Sequence, residues 1–165
     1  MNEIATPRHT LSHPLLIALL RVALGGVFIV ASLDKIQNPE AFATTIANYR
    51  IMPYTVINGI AIMLPWLEAV TGAFLVLGIW VRANTIIIGG LLLIFSIAIT
   101  QALARGLDIS CGCFTTNPVA EKMSLWTLLW DLIWLCWGIL IWVFDRGHYS
   151  LSNFLSTRKN EIGTP

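Results

Sequence analysis

Four long apolar runs constrain this chain more than any other feature of its sequence. They are residues 15–32, 56–81, 84–104 and 125–144. Each is close to the roughly 20 residues that a helix needs to cross the hydrocarbon core of a bilayer. Helices satisfy their own backbone hydrogen bonds in lipid, whereas loops and open strands do not. We therefore predict an all-α integral membrane protein, folded as a four-helix bundle within the lipid bilayer.

The composition agrees with that prediction. Of the 165 residues, 56% are hydrophobic and only 12% are charged, and the mean hydropathy is +0.75. The formal net charge of +1 gives no reason to expect a nucleic-acid partner. We expect one membrane domain, residues 15–145, between a polar N-terminal tail, residues 1–14, and a polar C-terminal tail, residues 146–165.

The Lys and Arg residues outside the runs favour one orientation by a small margin. If both termini lie inside, the inner side holds five of them and the outer side holds four. We therefore predict a multi-pass protein of the inner (plasma) membrane, with the loop between the third and fourth runs extracytoplasmic. Disulfides persist in that compartment.

A short amphipathic helix is predicted between the first two runs. Asn38 and Pro39 suit the start of a helix. Phe42, Ile46 and Tyr49 then fall on one face, which is typical of a helix lying at the membrane surface. This interfacial helix is either a simple connector or a shoulder that partly covers the loop before the fourth run, or receives a partner.

That loop contains the sequence DISCGCF, in which Cys111 and Cys113 flank Gly112. Thiols at this spacing can close a small disulfide ring, and glycine relieves its strain. So short a ring removes little chain entropy, whereas strained, exposed disulfides are easily reduced. We predict a redox pair, with unreactive cysteines or a Cu(I) site as alternatives. Cys136, in the fourth run, is expected to be a small core residue.

Three ionisable residues lie inside the apolar runs, where such groups indicate a function or a mutual pair. At about 1.5 Å of rise per residue, Arg21 and Glu68 are nearly level, so we predict that they form an ion pair. Asp131 lies about two turns below the cysteine loop by the same rise. It is either the proton carrier for thiol exchange or a structural carboxylate, bonded to Thr127 or to a hydroxyl across the bundle.

These motifs together resemble the DoxX-like membrane proteins. The broadly shared positions are Lys35, Pro39, Phe42, Tyr49, Pro53 and the in-membrane Glu68. The CGCF element, Cys111 to Phe114, makes the chain most similar to the methylamine utilisation MauE family, over about residues 14–145. Two positions depart from the family pattern: Thr115 follows CGCF where many members have glycine, and Trp130 precedes Asp131 where they tend to have arginine.

The resemblance implies a four-helix membrane protein associated with maturation of the disulfide-rich small subunit of methylamine dehydrogenase, alongside a thioredoxin-like partner. Our first hypothesis is a thiol–disulfide oxidoreductase. In it Cys111 and Cys113 exchange with that partner, Asp131 carries the proton, and electrons pass to or from a membrane quinone. The alternatives are a non-enzymatic membrane maturation or anchoring factor and a soft-metal Cu(I) carrier.

Overall fold

A computed structural model describes residues 14–107, 109–112 and 124–145 of the chain. Those residues form five helices, which we number α1 to α5. They are α1 (Pro14–Gln37), α2 (Pro39–Asn48), α3 (Tyr54–Leu77), α4 (Val81–Ala104) and α5 (Leu125–Phe144). All except α2 are long and apolar enough to cross a membrane. The predicted all-α bundle with a short helix between its first two spans is therefore confirmed, whereas the division into tails and a membrane domain stays a prediction.

The bundle is built from two closely packed helix pairs, α1 with α3 and α4 with α5. Glycines allow the first pair to touch backbone to backbone. A Cβ atom added to Gly25 would lie 2.6 Å from the carbonyl oxygen of Gly72, and one added to Gly72 would lie 2.8 Å from that of Gly25. Small residues at such crossings let membrane helices approach closely. This contact fixes the antiparallel register of α1 and α3.

Helix α2 packs against the bundle with a face slightly different from the predicted one. Phe42 and Tyr49 are buried as expected, but the third buried residue is Thr45, while Ile46 is half-buried. The reason is the cysteine loop. Gly112 packs so tightly on α2 that an added Cβ atom would lie 2.5 Å from Cγ2 of Thr45.

Helix α5 is the least buried of the four spans. Cys136, which the sequence placed in the core, is exposed and is a free thiol. That expectation is wrong because depth along a helix does not tell which face a residue occupies. In a bilayer this face of α5 contacts lipid.

Candidate functional site

Two ends of the bundle differ in what they contain, and we name them by position. The loop end holds Gln37, Tyr54, Ala104 and Leu125, together with the cysteine loop. The opposite end holds Pro14, Leu77, Val81 and Phe144. The candidate site lies toward the loop end.

A buried ion pair between α1 and α3 forms the centre of the site. The Lys35 ammonium lies 2.9 Å from Oε1 and 2.8 Å from Oε2 of Glu68. Lys35 is 1% exposed and Glu68 is 2% exposed. The ammonium also lies 5.2 Å from the ring centre of Phe42 and 5.3 Å from that of Phe95. A carboxylate and two aromatic rings therefore replace water around the cation.

The predicted pair of Arg21 with Glu68 is wrong. Arg21 instead bonds Asp145 through Nη1, at 3.2 Å. Glu68 precedes Gly72 by four residues, so the register places it eight residues from Arg21, about 12 Å along the axis. Side chains also lean toward the N-terminus of their own helix. Because α1 and α3 are antiparallel, those of Arg21 and Glu68 point away from each other.

The same geometry brings Lys35 to Glu68, although Lys35 lies beyond residues 15–32, the first predicted span. Helix α1 continues past the predicted end of the first run, through residue 37. Phe28, Ala31, Ser32 and Lys35 are all buried on one face of it. A lysine that continues an apolar stripe at helical spacing was the signal that sequence analysis missed.

Lys35 and Glu68 border a cavity of about 370 Å³ inside the bundle. Its other walls are mainly apolar and aromatic, and all four spans contribute to them. Five aromatic residues line it: Phe28, Phe95, Trp126, Trp130 and Trp134. Asp131 is the third ionisable residue on the wall. A largely apolar cavity with a few convergent polar groups is the usual form of a small-molecule site.

Asp131 is buried, and its carboxylate accepts a hydrogen bond from the hydroxyl of Ser96 on α4. A hydroxyl across the bundle was the structural alternative for this residue, and that contact is present. Asp131 also faces the cavity. Its role as proton carrier stays a proposal.

The described part of the cysteine loop is anchored to α2. Cys111 is disulfide-bonded and only 7% exposed. Its carbonyl oxygen accepts a hydrogen bond of 2.8 Å from the Tyr49 hydroxyl, and Arg105 donates to the backbone carbonyl of Tyr49 at 3.3 Å. Helix α2 is thus a shoulder over the loop rather than a simple connector. Cys113 lies outside the described residues, so the Cys111–Cys113 pair stays a prediction.

Tyr49 holds the loop on α2, the helix whose Phe42 contacts the Lys35 ammonium at the cavity. Its side chain is buried, and its pKa is raised above the ordinary value of 10.0, first by burial and second by the negative charge of Asp131. Asp131 therefore lies close enough to act on the phenol that holds Cys111. The sequence named Cys111 and Asp131 separately, and Tyr49 relates them, because it bonds the Cys111 carbonyl and its pKa responds to the Asp131 charge.

The fold and the site define a multi-pass helical membrane protein with a charged, aromatic cavity beside an anchored cysteine loop. The family model described as methylamine utilisation protein MauE matches residues 13–144. The chain therefore belongs to the MauE family, which confirms the resemblance. The wider likeness to DoxX-like proteins remains one of sequence motifs.

Curated relatives agree with this family. The chain is 34% identical over 120 residues to the methylamine utilization protein MauE of Methylorubrum extorquens, which covers 72% of this chain and 63% of the relative. It is 30% identical over 124 residues to that of Paracoccus denitrificans, covering 74% and 66%. The matched part thus spans less than two thirds of these relatives. No solved structure shows a significant match.

Proposed function

We propose that this protein is a thiol–disulfide oxidoreductase that acts through Cys111 and Cys113. Family membership supports a role in methylamine utilisation. Within that role we propose exchange with an extracytoplasmic thioredoxin-like partner, in maturation of a disulfide-containing protein such as the small subunit of methylamine dehydrogenase. The observation that carries the proposal is the disulfide-bonded Cys111, whose carbonyl is held by Tyr49, a phenol within range of the charge of the buried Asp131.

The exchange moves two electrons and two protons. A thiolate of the partner attacks one sulfur of the Cys111–Cys113 disulfide, and the other sulfur leaves as a thiolate. The second thiol of the partner then resolves the mixed disulfide. This chain ends as a dithiol and the partner as a disulfide, and the reverse sequence oxidises a reduced partner. Because Cys111 is buried, attack at its sulfur requires the loop to separate from Tyr49 and Thr45.

The burial of Cys111 also favours a second candidate function. A disulfide held beneath α2 can serve to shape the loop as a docking surface for a maturation partner, with no redox cycle. Strained and accessible disulfides are the ones that exchange, whereas Cys111 is held by a hydrogen bond and by packing. For the soft-metal alternative, the described residues contain no cluster of three or more metal-ligating side chains, so that function depends on the two thiols alone.

An exchange assay separates these functions. The protein is purified in detergent with a Cys136→Ser substitution, because Cys136 is a free, exposed thiol. It is mixed with a reduced thioredoxin-like protein, and the redox state of Cys111 and Cys113 is followed by alkylation and mass spectrometry. We expect the pair to become reduced. A single Cys111→Ser or Cys113→Ser variant should trap a mixed disulfide with the oxidised partner, and the double variant should trap none. A pair that stays oxidised supports the docking function.

The role of Asp131 is tested in the same assay. Asp131→Asn keeps the shape of the side chain and can still accept a bond from Ser96. If Asp131 carries the proton, exchange should slow by at least about tenfold, the lower range for general acid–base catalysis, and lose its pH dependence. Ser96→Ala is the matched control, since it removes the bond but keeps the carboxylate. An Asp131→Asn variant with unchanged rates at every pH leaves Asp131 as a structural residue.

The orientation of the loop is proposed as extracytoplasmic. A membrane-impermeant thiol reagent applied to intact cells, after mild reduction, should label Cys111 or Cys113 in the Cys136→Ser background. Labelling that requires disruption of the inner membrane would place the loop in the cytoplasm.

A further inference from the structure

We propose that the cavity between the four spans binds the ring of a lipid-soluble quinone. The proposal deepens the proposed function, because the quinone exchanges electrons with the cysteine pair. Binding itself depends on the cavity and not on the cysteines. The two ideas can therefore fail separately.

The size and walls of the cavity suit a flat ring. Its volume of about 370 Å³ falls in the range of small-molecule sites, roughly 300–1,000 Å³. Phe28 and Phe95 line its interior, and Trp126, Trp130 and Trp134 form the α5 side. The ring centres of Trp130 and Trp134 are 6.3 Å apart in a stacked arrangement. Aromatic faces of this kind pack well against a planar conjugated ring.

The polar groups of the wall match oxygen atoms on the rim of such a ring. The Lys35 ammonium has three N–H donors, and two of them serve the two carboxylate oxygens of Glu68. A ligand carbonyl would meet the third donor from the cavity, which Lys35 borders, because Glu68 and two phenylalanine rings cover the rest of the ammonium. Asp131 receives the Ser96 hydroxyl on Oδ2, so its second oxygen can exchange a proton with the ligand. Donors and a proton carrier thus border one apolar space.

Other occupants fit this wall less well. A lipid acyl chain would satisfy the aromatic residues but would leave Lys35, Glu68 and Asp131 against hydrocarbon, which is costly. A nucleotide cofactor needs several donors for its phosphates, and the cation on this wall is already paired with Glu68. A quinone combines an apolar ring, which suits the aromatic residues, with two carbonyl oxygens, which suit the polar groups of the wall.

The cavity has a route for the isoprenoid tail. Trp126 and Trp130 line the cavity and are also 65% and 44% exposed on the surface of the bundle. Trp126 is the second residue of α5, so this opening lies close to the loop end. A tail that leaves between these rings enters the lipid directly.

The redox step balances with this ligand. Two thiols, Cys111 and Cys113, lose two electrons and two protons and form one disulfide bond. The quinone gains both and becomes a quinol. Asp131 carries the two thiol protons one after the other to the two ring oxygens, and Tyr49 holds the Cys111 carbonyl within range of the Asp131 charge. With excess quinol the same steps run in reverse and reduce the disulfide.

Binding is tested with ubiquinone-1 on the purified protein, by quenching of tryptophan fluorescence. We expect saturable quenching, equal in the intact chain and in the Cys111→Ser/Cys113→Ser variant. Leu92 lines the cavity, whereas Leu93 is 51% exposed on the lipid face. Leu92→Trp should weaken binding at least about tenfold, a loss of about 1.4 kcal/mol, and Leu93→Trp should leave it unchanged.

A second measurement covers the case in which Leu92→Trp does not fold. An azido-quinone is photo-crosslinked to the unmodified chain and the labelled peptides are mapped by mass spectrometry. Label on cavity residues of α4 and α5, competed by ubiquinone-1, supports the site. Label spread over lipid-facing residues overturns it, and so does equal competition by a ring-free isoprenoid alcohol, since the cavity would then hold only a tail.

The outcomes also separate this inference from the proposed function. Quinone binding without thiol exchange keeps the site and removes the oxidoreductase function. Thiol exchange with a soluble partner but no saturable quinone binding keeps that function and overturns the quinone site.

Discussion

Each end of the bundle contains a buried ion pair with one partner on α1, yet the two pairs have different surroundings. At the opposite end Arg21 bonds Asp145, the residue that follows α5. Toward the loop end Lys35 of α1 bonds Glu68 of α3, so both partners lie in membrane spans. This pair also borders the cavity. A charged residue in a span is thus a weak sign of a functional site by itself. The cavity, the aromatic rings and the nearby loop distinguish the second pair.

The two pairs should differ most in stability when one partner of each is removed. Lys35→Met leaves Glu68 buried without its cation, so we expect a loss of about 3–5 kcal/mol in the free energy of unfolding. Arg21→Met should cost less, because Asp145 follows the last residue of α5 and so lies nearer the edge of the membrane, where an unpaired carboxylate is less costly. Unfolding in mild detergent, followed by circular dichroism, measures both losses.

Two further variants make this test specific. Lys35→Met combined with Glu68→Leu removes both charges and should recover most of the lost stability, since apolar residues can replace a buried pair. Arg82→Met, at an exposed position of α4, should change stability little. Equal losses for Lys35→Met and Arg21→Met would show that the two ends do not differ in the way the structure indicates.

The register of α1 against α3 depends on the close contact of Gly25 with Gly72. Gly25→Ala places a Cβ atom against the Gly72 carbonyl, so α1 and α3 must separate. We expect a loss of about 1–3 kcal/mol, the usual cost of overpacking. Gly26→Ala is the matched control, since an added Cβ atom there meets nothing within 4 Å, and alanine should be neutral or slightly stabilising. Equal stability of the two variants would contradict the close crossing.

The fold could be predicted from the sequence because the length of each apolar run is enough to identify a membrane-spanning helix. The sequence named Cys111 and Asp131 as site residues, which stays a prediction, and it placed both toward the same end of the bundle. It mispaired Arg21 with Glu68 because counting residues along a helix estimates the depth of a residue in the membrane but not the direction of its side chain. It left Lys35 outside the first span because α1 extends beyond its apolar run. The cavity could not be predicted from the sequence, because its walls come from four helices whose packing is not known in advance.

The smallest expected effect concerns Tyr49, which belongs to the loop end. Tyr49→Phe removes one hydrogen bond to the Cys111 carbonyl, so we expect a loss of about 0.5–1.5 kcal/mol. Amide hydrogen exchange at Cys111 and Gly112 should quicken in the variant. Unchanged exchange would show that the bond does not hold the loop.

The same residue also predicts how stability depends on pH. The pKa of Tyr49 is raised by burial and by the charge of Asp131, so the folded protein keeps the phenol proton that the unfolded chain releases above its ordinary pKa of 10.0. The stabilisation by this group is complete below that pH and is lost as pH rises toward the raised pKa. Stability should therefore fall by up to about 1.4 kcal/mol per pH unit in alkali. Tyr49→Phe should fall less steeply over the same range, because it has no proton to release. Parallel alkaline slopes for the two proteins would mean that the Tyr49 phenol ionises as easily in the fold as in the unfolded chain, and that α2 does not seal the loop from water.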